Sequence, residues 1–221
     1  MNIEEALKKI GETGIVPVVR AASFEEARQA VDAICAGGIS VIEITMTVPN
    51  APALIRAVVR QYGDKVLTGA GSVLNSEQAS ECLEAGAEFL VSPGLSVPVL
   101  RTAQARGKLA IPGALTPTEL MMASLEGARV IKIFPCENMG GAKYIKALKA
   151  PFPRVELIPT GGVNLSNAAA YIAAGAFALG VGGDLVNVAA LRDGKAQDII
   201  EMAKKLVEAV RLAREAKPAS H

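Results

Sequence analysis

A lysine lies in the middle of a short apolar segment, residues 128–135. The segment is rich in β-branched and aromatic residues and ends at a proline, which predicts a buried strand. Side chains alternate along a strand, so Val130, Lys132 and Phe134 share one face. An amine surrounded by hydrocarbon loses its proton more easily than one in water, and a neutral amine attacks ketones. These properties predict that Lys132 forms a Schiff base with a carbonyl substrate.

Glu43 occupies a similar place in a second predicted strand, residues 39–45. It shares a face with Val41 and Thr45 and has apolar neighbours on both sides in the chain. A carboxylate close to a Schiff-base lysine would move protons as the imine and the enamine form. We therefore predict that Lys132 and Glu43 form a catalytic pair.

Each residue of this pair also has a purely structural interpretation. Lys132 could lie at the end of an edge strand, with its ammonium group in water. Together, Lys132 and Glu43 could form a buried ion pair, although such pairs rarely improve stability. The arrangement of the remaining segments favours the catalytic interpretation.

The composition is that of one large domain with a sizeable core. The 221 residues are 51% hydrophobic but only 4% aromatic, so small aliphatic residues must do most of the packing. The 23 Lys and Arg residues nearly balance the 22 Asp and Glu residues. This balance argues against both a nucleic acid and an anionic membrane as partner.

The cysteines and the hydropathy pattern indicate a reducing, cytoplasmic setting. Cys35, Cys82 and Cys136 are odd in number and lack the spacing of metal sites or disulfide frameworks. The sequence shows no secretory signal and no uncharged apolar run long enough to cross a bilayer. The only histidine is His221, the last residue, so a metal-dependent enzyme is not expected.

Short apolar segments alternate with helical patterns along the whole chain. Such alternation produces right-handed crossovers and a parallel sheet, and eight strand–helix units favour a closed barrel. We predict an α/β fold in which residues 1–221 form a single-domain (β/α)8 TIM barrel, with an extra N-terminal helix at 1–12 and a disordered tail at 217–221. An open flavodoxin-like sheet is the main alternative. The predicted strands are 15–20, 39–45, 66–69, 88–91, 109–112, 128–135, 155–159 and 176–181.

Two glycine-rich turns follow the last two predicted strands. Thr160-Gly161-Gly162 follows strand seven, and Gly182-Gly183 follows strand eight. In barrel enzymes, backbone N–H groups at these two positions often hold a phosphate. Asp184 argues against this assignment, because its carboxylate would repel a phosphate unless it turns away.

Two polar residues at other strand ends are further candidates for substrate binding. Arg20 ends strand one, beside strand eight in a closed barrel, and either binds an anionic group or lies at the surface. Ser72 ends strand three, where its hydroxyl and a backbone N–H group could hold a carboxylate. Cys136 is interpreted as a packed thiol, because no histidine is available to activate it.

Six motifs occur in the order and at the distances found in one enzyme family. On these motifs the chain, from about Ile10 to Ala213, resembles the 2-keto-3-deoxy-6-phosphogluconate (KDPG) / 4-hydroxy-2-oxoglutarate (KHG) aldolase family. The motifs are Glu43-Ile44-Thr45, Gly69-Ala70-Gly71-Ser72-Val73-Leu74, Ser92-Pro93-Gly94-Leu95, Ile111-Pro112-Gly113, Lys132-Ile133-Phe134-Pro135 and Pro159-Thr160-Gly161-Gly162.

The resemblance implies a homotrimer of (β/α)8 barrels and a class I aldolase that needs neither a metal nor another cofactor. It implies that Lys132 attacks the ketone carbon of pyruvate or of a 2-keto-3-deoxy acid while Glu43 shuttles protons. Cleavage then releases pyruvate and an aldehyde, either glyceraldehyde 3-phosphate or glyoxylate. The implied partners are therefore small molecules, and Pro93 joins the glycine turns among the substrate-binding residues.

Two positions depart from the family pattern. Some members carry an arginine four residues after the glutamate to hold the substrate carboxylate, and this chain has Thr47 there. Many members carry a phosphate-binding serine after the last strand, and this chain has Gly183. The first departure leaves Ser72, Thr47 and Arg20 to hold the carboxylate. The second, together with Asp184, keeps an unphosphorylated or shorter 2-keto acid open.

Other functions are compatible with parts of this pattern. A phosphate-binding barrel isomerase or epimerase would use the same glycine turns, but it would not need an imine-forming lysine. A catalytically inert assembly scaffold, natural or engineered, could also be built on an aldolase barrel. Borohydride reduction in the presence of pyruvate separates these alternatives, because only the aldolase would retain a pyruvyl adduct.

Overall fold

Short parallel strands alternate with helices throughout the computed structural model, which describes residues 1–216. The tail predicted to be disordered, 217–221, lies outside the described residues, and so does His221. The strands are β1 (Ile15–Val19), β2 (Val41–Thr45), β3 (Leu67–Gly71), β4 (Phe89–Val91), β5 (Leu109–Ile111), β6 (Gly113–Ala114), β7 (Val130–Ile133), β8 (Glu156–Pro159) and β9 (Leu179–Val181).

Helices follow most of these strands and cover the outside of the sheet. They are α1 (Ile3–Thr13), α2 (Phe24–Ala36), α3 (Ala51–Tyr62), α4 (Ser76–Glu84), α5 (Val97–Ala105), α6 (Pro117–Leu125), α7 (Ala142–Lys149), α8 (Ala168–Ala173), α9 (Val188–Arg192) and α10 (Ala196–Glu215). Short 3-10 turns occupy Gly63–Lys65 and Glu137–Met139. Within residues 1–216, no helix combines the length and the apolar character that a bilayer crossing requires.

The strands form a six-stranded sheet, in the order β5-β4-β3-β2-β1-β9, and a three-stranded sheet, in the order β6-β7-β8. All pairings are parallel. A bridge between Thr160 and Gly180 connects the ends of β8 and β9. At the other junction, the Lys132 amide donates to the Pro112 carbonyl at 2.9 Å. The result is a curled parallel sheet in which every strand ends at the same edge.

Pro112 divides the fifth predicted strand into two pieces. The sequence pattern predicts one strand over 109–112, whereas the structure has β5 and β6 on either side of this proline. A proline has no N–H group and cannot donate to a ladder, which interrupts regular pairing there. The short helix α9 is likewise absent from the sequence-based prediction, because its five residues are too few to show a helical period.

An apolar layer fills the inside of the curled sheet. It contains one or more inward residues from most strands, and Ala6 and Ile10 of α1 pack on it. Asn2 caps α1 in a reciprocal pair with Glu5, which fixes where the helix begins. Helix α1 therefore covers the amino-terminal end of the strands. The inward residues of the layer are Val16, Val41, Leu67, Phe89, Val91, Leu109, Ile111, Val130, Ile158 and Ala178.

A second, larger apolar layer lies between the strands and the surrounding helices. Its strand residues, such as Ile42, Ile44, Ile131 and Ile133, alternate with the inward residues, as expected for strands covered on both faces. Both sides of the sheet are thus filled with hydrocarbon. A charged side chain on an inward position is conspicuous in such surroundings.

Ser23 and Glu26 have the spacing of a capping box at the start of α2, but only half of the box is formed. The Ser23 side chain accepts from the Glu26 amide. The Glu26 carboxylate does not return to the Ser23 amide. It accepts instead from the Ala22 amide, one residue earlier, at 3.2 Å and from the guanidinium of Arg192 in α9 at 2.5 Å. Glu26 therefore combines a local backbone bond with a long-range ion pair.

Candidate active site

Glu43 and Lys132 face each other inside the curled sheet. The Lys132 Nζ atom lies 3.8 Å from Glu43 Oε1, and the two side chains are only 4% and 3% exposed. This separation is longer than a hydrogen bond, although it is short enough for strong electrostatic attraction. Two oppositely charged groups are thus held together away from bulk water.

Strand register explains why these two residues meet. Glu43 and Lys132 each stand two residues beyond a valine of the inner apolar layer, namely Val41 and Val130. Because inward positions repeat every second residue, both side chains enter the space directly above that layer. The carboxyl ends of parallel strands meet at one edge, so this space opens toward the β–α loops.

Glu43 Oε1 is a buried acceptor without a donor. Among residues 1–216 it has no hydrogen-bond partner, although buried carboxylate oxygens are normally bonded. An unpaired buried oxygen costs free energy unless something else bonds to it. This oxygen therefore marks a position where a substrate or a water molecule would donate a hydrogen bond.

Gly71 makes room for the glutamate carboxylate. A Cβ atom placed on Gly71 would lie 1.9 Å from Glu43 Oε1, far inside van der Waals contact. Glycine is therefore required at the end of β3 for Glu43 to keep its present rotamer. In the sequence Gly71 stands out only as part of a motif, and the space it leaves for Glu43 is visible only in the structure.

The lysine amine is surrounded mainly by hydrocarbon and one aromatic face. Lys132 is paired across the sheet with Gly113 on one side and Ile158 on the other. The Phe134 ring lies with its centroid 5.4 Å from Nζ, within the range of a cation–π contact. The alternation of the strand already places Phe134 on this face.

A cavity of about 200 Å³ lies at the carboxyl edge of the strands, and Phe134 both lines it and contacts the Lys132 amine. It brings together the ends of β1, β7, β8 and β9, including most of the substrate-binding candidates from the sequence. A larger groove of about 670 Å³ lies at the opposite end, beside α1, and neither Glu43 nor Lys132 lines either of these two spaces. The residues lining the smaller cavity are Val18, Arg20, Phe134, Thr160, Gly161, Gly162, Val163, Gly182, Gly183 and Asp184.

The glycine turns of this cavity have unused backbone donors. Among the described residues, the N–H groups of Gly162 and Gly183 donate no hydrogen bond. Gly161 and Gly162 have φ angles of 88° and 81°, a conformation that residues with a side chain rarely adopt. Free N–H groups near Arg20 suit an anionic group, whereas the Asp184 carboxylate on the same cavity opposes one.

Three predicted binding residues lie outside the lining of this cavity. The Thr47 hydroxyl is bonded to the Thr45 hydroxyl at 2.6 Å, and Thr47 is exposed. Ser72 follows Gly71 with φ 55° and is half-buried, so it stands beside the glutamate end of the site. Pro93 is half-buried in the loop after β4, and its carbonyl packs so closely on Gly113 that a Cβ there would clash.

The third cysteine of the chain is a structural residue. Cys136 is buried just after β7, and burial raises the pKa of its thiol to about 11. A thiol in this state is a poor nucleophile at neutral pH. Within residues 1–216, no group of three or more His, Cys, Asp or Glu side chains is arranged to hold a metal ion.

A buried lysine and a carboxylate at the carboxyl edge of a parallel α/β sheet are the arrangement of a Schiff-base aldolase, which is a carbon–carbon lyase. The family model that matches this chain, over residues 3–202, is that of KDPG and KHG aldolases. The chain belongs to the KDPG/KHG aldolase family.

Individual relatives match over nearly the full length. The KHG/KDPG aldolase of Escherichia coli K12 is 37% identical over 213 residues, which span 96% of this chain and 99% of the relative. A KDPG aldolase of Legionella pneumophila, solved with pyruvate captured as a covalent carbinolamine, superimposes with a TM-score of 0.84 at 30% identity. That match covers 91% of this chain and 97% of the other.

A third similar structure is a designed assembly. It is a cube-shaped protein cage made by fusing symmetric oligomeric domains, with a TM-score of 0.82 and 33% identity. The match covers 91% of this chain and 73% of the cage chain.

Proposed function

We propose that this chain reversibly cleaves KDPG or 4-hydroxy-2-oxoglutarate, giving pyruvate and an aldehyde. The observation that carries this proposal is the buried pair at 3.8 Å, in which Glu43 Oε1 lacks a donor and faces the Lys132 amine. Family membership supplies the substrate class, and the pair supplies the two groups that such a cleavage needs. An isomerase mechanism would not require an imine-forming lysine at this position.

The reaction begins when the Lys132 ammonium gives a proton to the Glu43 carboxylate, and the resulting neutral amine attacks the C2 ketone of the substrate. The resulting carbinolamine loses its hydroxyl as water, with the proton supplied by Glu43, and becomes a protonated imine. Glu43 then takes the proton of the C4 hydroxyl. As that oxygen becomes the aldehyde, the C3–C4 bond breaks and its electron pair moves toward the imine nitrogen to give an enamine.

The enamine returns to pyruvate by the reverse proton movements. A proton from Glu43 adds to C3, and the protonated imine is then hydrolysed by water to free pyruvate and the amine. A single carboxylate acting on both C4 oxygen and C3 must lie close to the lysine and away from competing donors. The position of Glu43 supports this role, because Oε1 lies 3.8 Å from the lysine Nζ and has no hydrogen-bond donor among residues 1–216.

We propose that the substrate lies with its two ends in different surroundings. The imine end of the site is formed by Lys132 and Glu43, with Ser72, Thr47 and Pro93 as candidates for holding the pyruvyl carboxylate. The tail end lies in the 200 Å³ cavity and takes the part of the substrate that leaves as the aldehyde. Its candidate binding residues are Arg20, Thr160, Gly161, Gly162, Gly182 and Gly183.

We further propose that residues 1–221 form one domain and that the two sheets close as a (β/α)8 barrel. The bridge between β8 and β9 and the bond across Pro112 support this closure, since they link the sheets at both junctions. Helix α1 would then be the extra N-terminal helix that plugs the bottom of the barrel.

A homotrimer in the cytoplasm is the proposed working form. Met121, Met122 and Leu125 are exposed on α6, and Leu125 alone is 84% exposed, which is unusual for a solvent-facing helix. Burial of these side chains between subunits would remove their apolar surface from water, which is favourable. The three cysteines are unpaired thiols, as expected in a reducing compartment. Light scattering that gives the mass of a single chain would contradict the trimer.

Borohydride reduction tests the imine directly. With pyruvate present, we expect irreversible inactivation and a pyruvyl adduct that peptide mass spectrometry places on Lys132. Lys108 offers a matched control, because it is partly buried and also paired with a glutamate, Glu88. An adduct on Lys108, or no adduct on any lysine, would overturn the proposed function.

A comparison of substrates then tests the tail end. Steady-state cleavage of KDPG and of 4-hydroxy-2-oxoglutarate by the same preparation measures how much the phosphorylated tail contributes to kcat/KM. Equal values would show that the tail end does not recognise the phosphate. A clear preference for KDPG would show that the free N–H groups and Arg20 outweigh Asp184.

A further inference from the structure

Glu137 connects the loop after the lysine strand with the helix that follows the next strand. Its Oε2 atom accepts from the Tyr171 hydroxyl of α8 at 2.6 Å and from Asn167 Nδ2 at 3.3 Å. Tyr171 is completely buried, and burial, followed by its bond to Glu137, raises the pKa of its hydroxyl. Tyr171 therefore remains a neutral donor to the Glu137 carboxylate at any working pH. The proposed mechanism uses none of these three side chains.

The same loop is bonded to the glycine turn of the tail end. The Cys136 amide donates to the Thr160 carbonyl at 2.8 Å, and the Glu137 amide donates to the Gly161 carbonyl at 3.1 Å. Asn167 Nδ2 also donates to the Gly162 carbonyl, at 2.9 Å. Three successive carbonyl groups of the turn are thus fixed from outside the cavity, whereas the N–H group of Gly162 stays free.

Close packing leaves this turn little freedom to move. A Cβ atom on Gly162 would lie 2.4 Å from Glu137 Cβ, so the glutamate side chain rests directly on the turn backbone. A Cβ atom on Gly161 would lie 3.3 Å from the Phe134 ring on its other side. Movement of Glu137 would therefore release the turn.

We propose that Glu137 and Tyr171 form a positioning pair that sets the distance from the imine to the tail end of the substrate. Glu137 lies five residues after Lys132, so the pair attaches the turn to the same strand that carries the amine. The inference rests on the proposed function, and it concerns positioning, since neither side chain lines the cavity. The proposal predicts an effect that depends on substrate length, because only substrates long enough to reach the turn depend on the pair.

Kinetics of Tyr171→Phe tests this selectivity. The substitution removes one hydroxyl and keeps the ring that fills the core. We expect KM for KDPG to rise about 3- to 10-fold, the scale of one lost hydrogen bond, with kcat within about twofold. The concentration of pyruvate that half-saturates borohydride trapping should not change, because pyruvate has no tail.

Tyr144→Phe is the matched control. The Tyr144 hydroxyl also donates a hydrogen bond, but its acceptor is the Leu115 carbonyl, which does not belong to the turn. Its KM for KDPG should equal the wild-type value. Glu137→Gln keeps an acceptor for the Tyr171 hydroxyl, whereas Glu137→Ala removes it. KM for KDPG should therefore rise less in Glu137→Gln than in Glu137→Ala.

Hydrogen exchange of the turn gives a second readout that does not depend on substrate choice. The peptide that contains Cys136 and Glu137, whose amides donate to the carbonyls of the turn, should exchange faster in Tyr171→Phe than in the wild type or in Tyr144→Phe. Unchanged exchange, or equal changes of the half-saturating concentration for pyruvate and of KM for KDPG, would overturn the positioning pair. Failure of the wild type to trap pyruvate would instead contradict the proposed aldolase and leave the exchange test valid.

Discussion

The imine end and the tail end of the site are built in opposite ways. Glu43 and Lys132 stand in the middle of strands and are almost completely buried, so the backbone ladders fix their positions. The tail end consists of loop residues, and Gly183 and Asp184 are exposed. Rigid strands suit a pair of groups that must exchange protons, whereas loops allow the recognised tail to differ between relatives.

The difference extends to electrostatics. At the imine end, an acid and a base face each other with little solvent between them, so the loss of either charge should have a large effect. At the tail end, the charges of Arg20 and Asp184 are opposite in sign and reach solvent. Solvent screening should therefore make the effect of a single charge substitution on activity much smaller at the tail end than at the imine end.

Replacement of the lysine should have the largest effect. Lys132→Met keeps much of the side-chain volume and removes the amine, so we expect no detectable cleavage and no borohydride adduct. A steady-state assay coupled to pyruvate release measures the loss. Lys108→Met, at a partly buried lysine outside the site, should keep wild-type activity. Turnover by Lys132→Met near the wild-type rate would exclude an imine at this residue.

Glu43→Gln should have the next largest effect. The amide has nearly the same shape but cannot accept a proton, so kcat should fall on the order of 10²–10⁴-fold. Circular dichroism and the thermal midpoint serve to show that the fold is intact. If the variant cleaved at the wild-type rate, the assignment of Glu43 as the proton shuttle would be wrong.

Gly71→Ala should disturb the geometry of the imine end while both charged residues, Glu43 and Lys132, remain in the chain. The new methyl group would lie 1.9 Å from Glu43 Oε1, so the carboxylate must turn away from the lysine. We expect a loss of kcat on the order of 10–10²-fold, smaller than the loss for Glu43→Gln because the carboxylate remains present. Gly94→Ala is the control, since a Cβ there meets no atom within 4 Å. Equal activity of the two variants would refute the packing argument.

Asp184→Asn, a substitution at the tail end, should have the smallest effect on cleavage of these four variants. Removal of this exposed negative charge should raise kcat/KM for KDPG about 2- to 10-fold, and added salt should reduce the gain. Cleavage of 4-hydroxy-2-oxoglutarate should change less, because its leaving aldehyde carries no phosphate dianion. Asp193→Asn is the control, since this acid lies outside the cavity. A loss of KDPG cleavage in Asp184→Asn would mean that Asp184 assists the tail.

Most of the strand order was predictable because each strand carries its own signal. The lysine strand and the glutamate strand are recognisable from β-branched residues around one intrusive charge, and the glycines that end the helices separate the units. The interruption at Pro112 was missed because a single proline at the end of a short apolar run also fits a strand that simply stops. The short helix α9 was missed because five residues show no period.

The candidate site was predictable only in part. Arg20 and the glycine turns line one cavity, as their places at strand ends suggested, whereas Thr47, Ser72 and Pro93 do not line it. The bond between Glu137 and Tyr171 left no signal in the sequence, since a glutamate in a loop and a tyrosine in a helix are both common. Such contacts depend on how far a loop folds back, which no local pattern records.

By itself, the sequence determined which residues point inward, because alternation along a strand is a local property of the backbone. It therefore identified Lys132 and Glu43 as charges among hydrocarbon. Only the tertiary structure decided that their atoms lie 3.8 Å apart, that Gly71 leaves space for the carboxylate, and that Oε1 has no donor. The physical reason is that strand curvature and register bring distant segments together, and both are set by the packing of the whole chain.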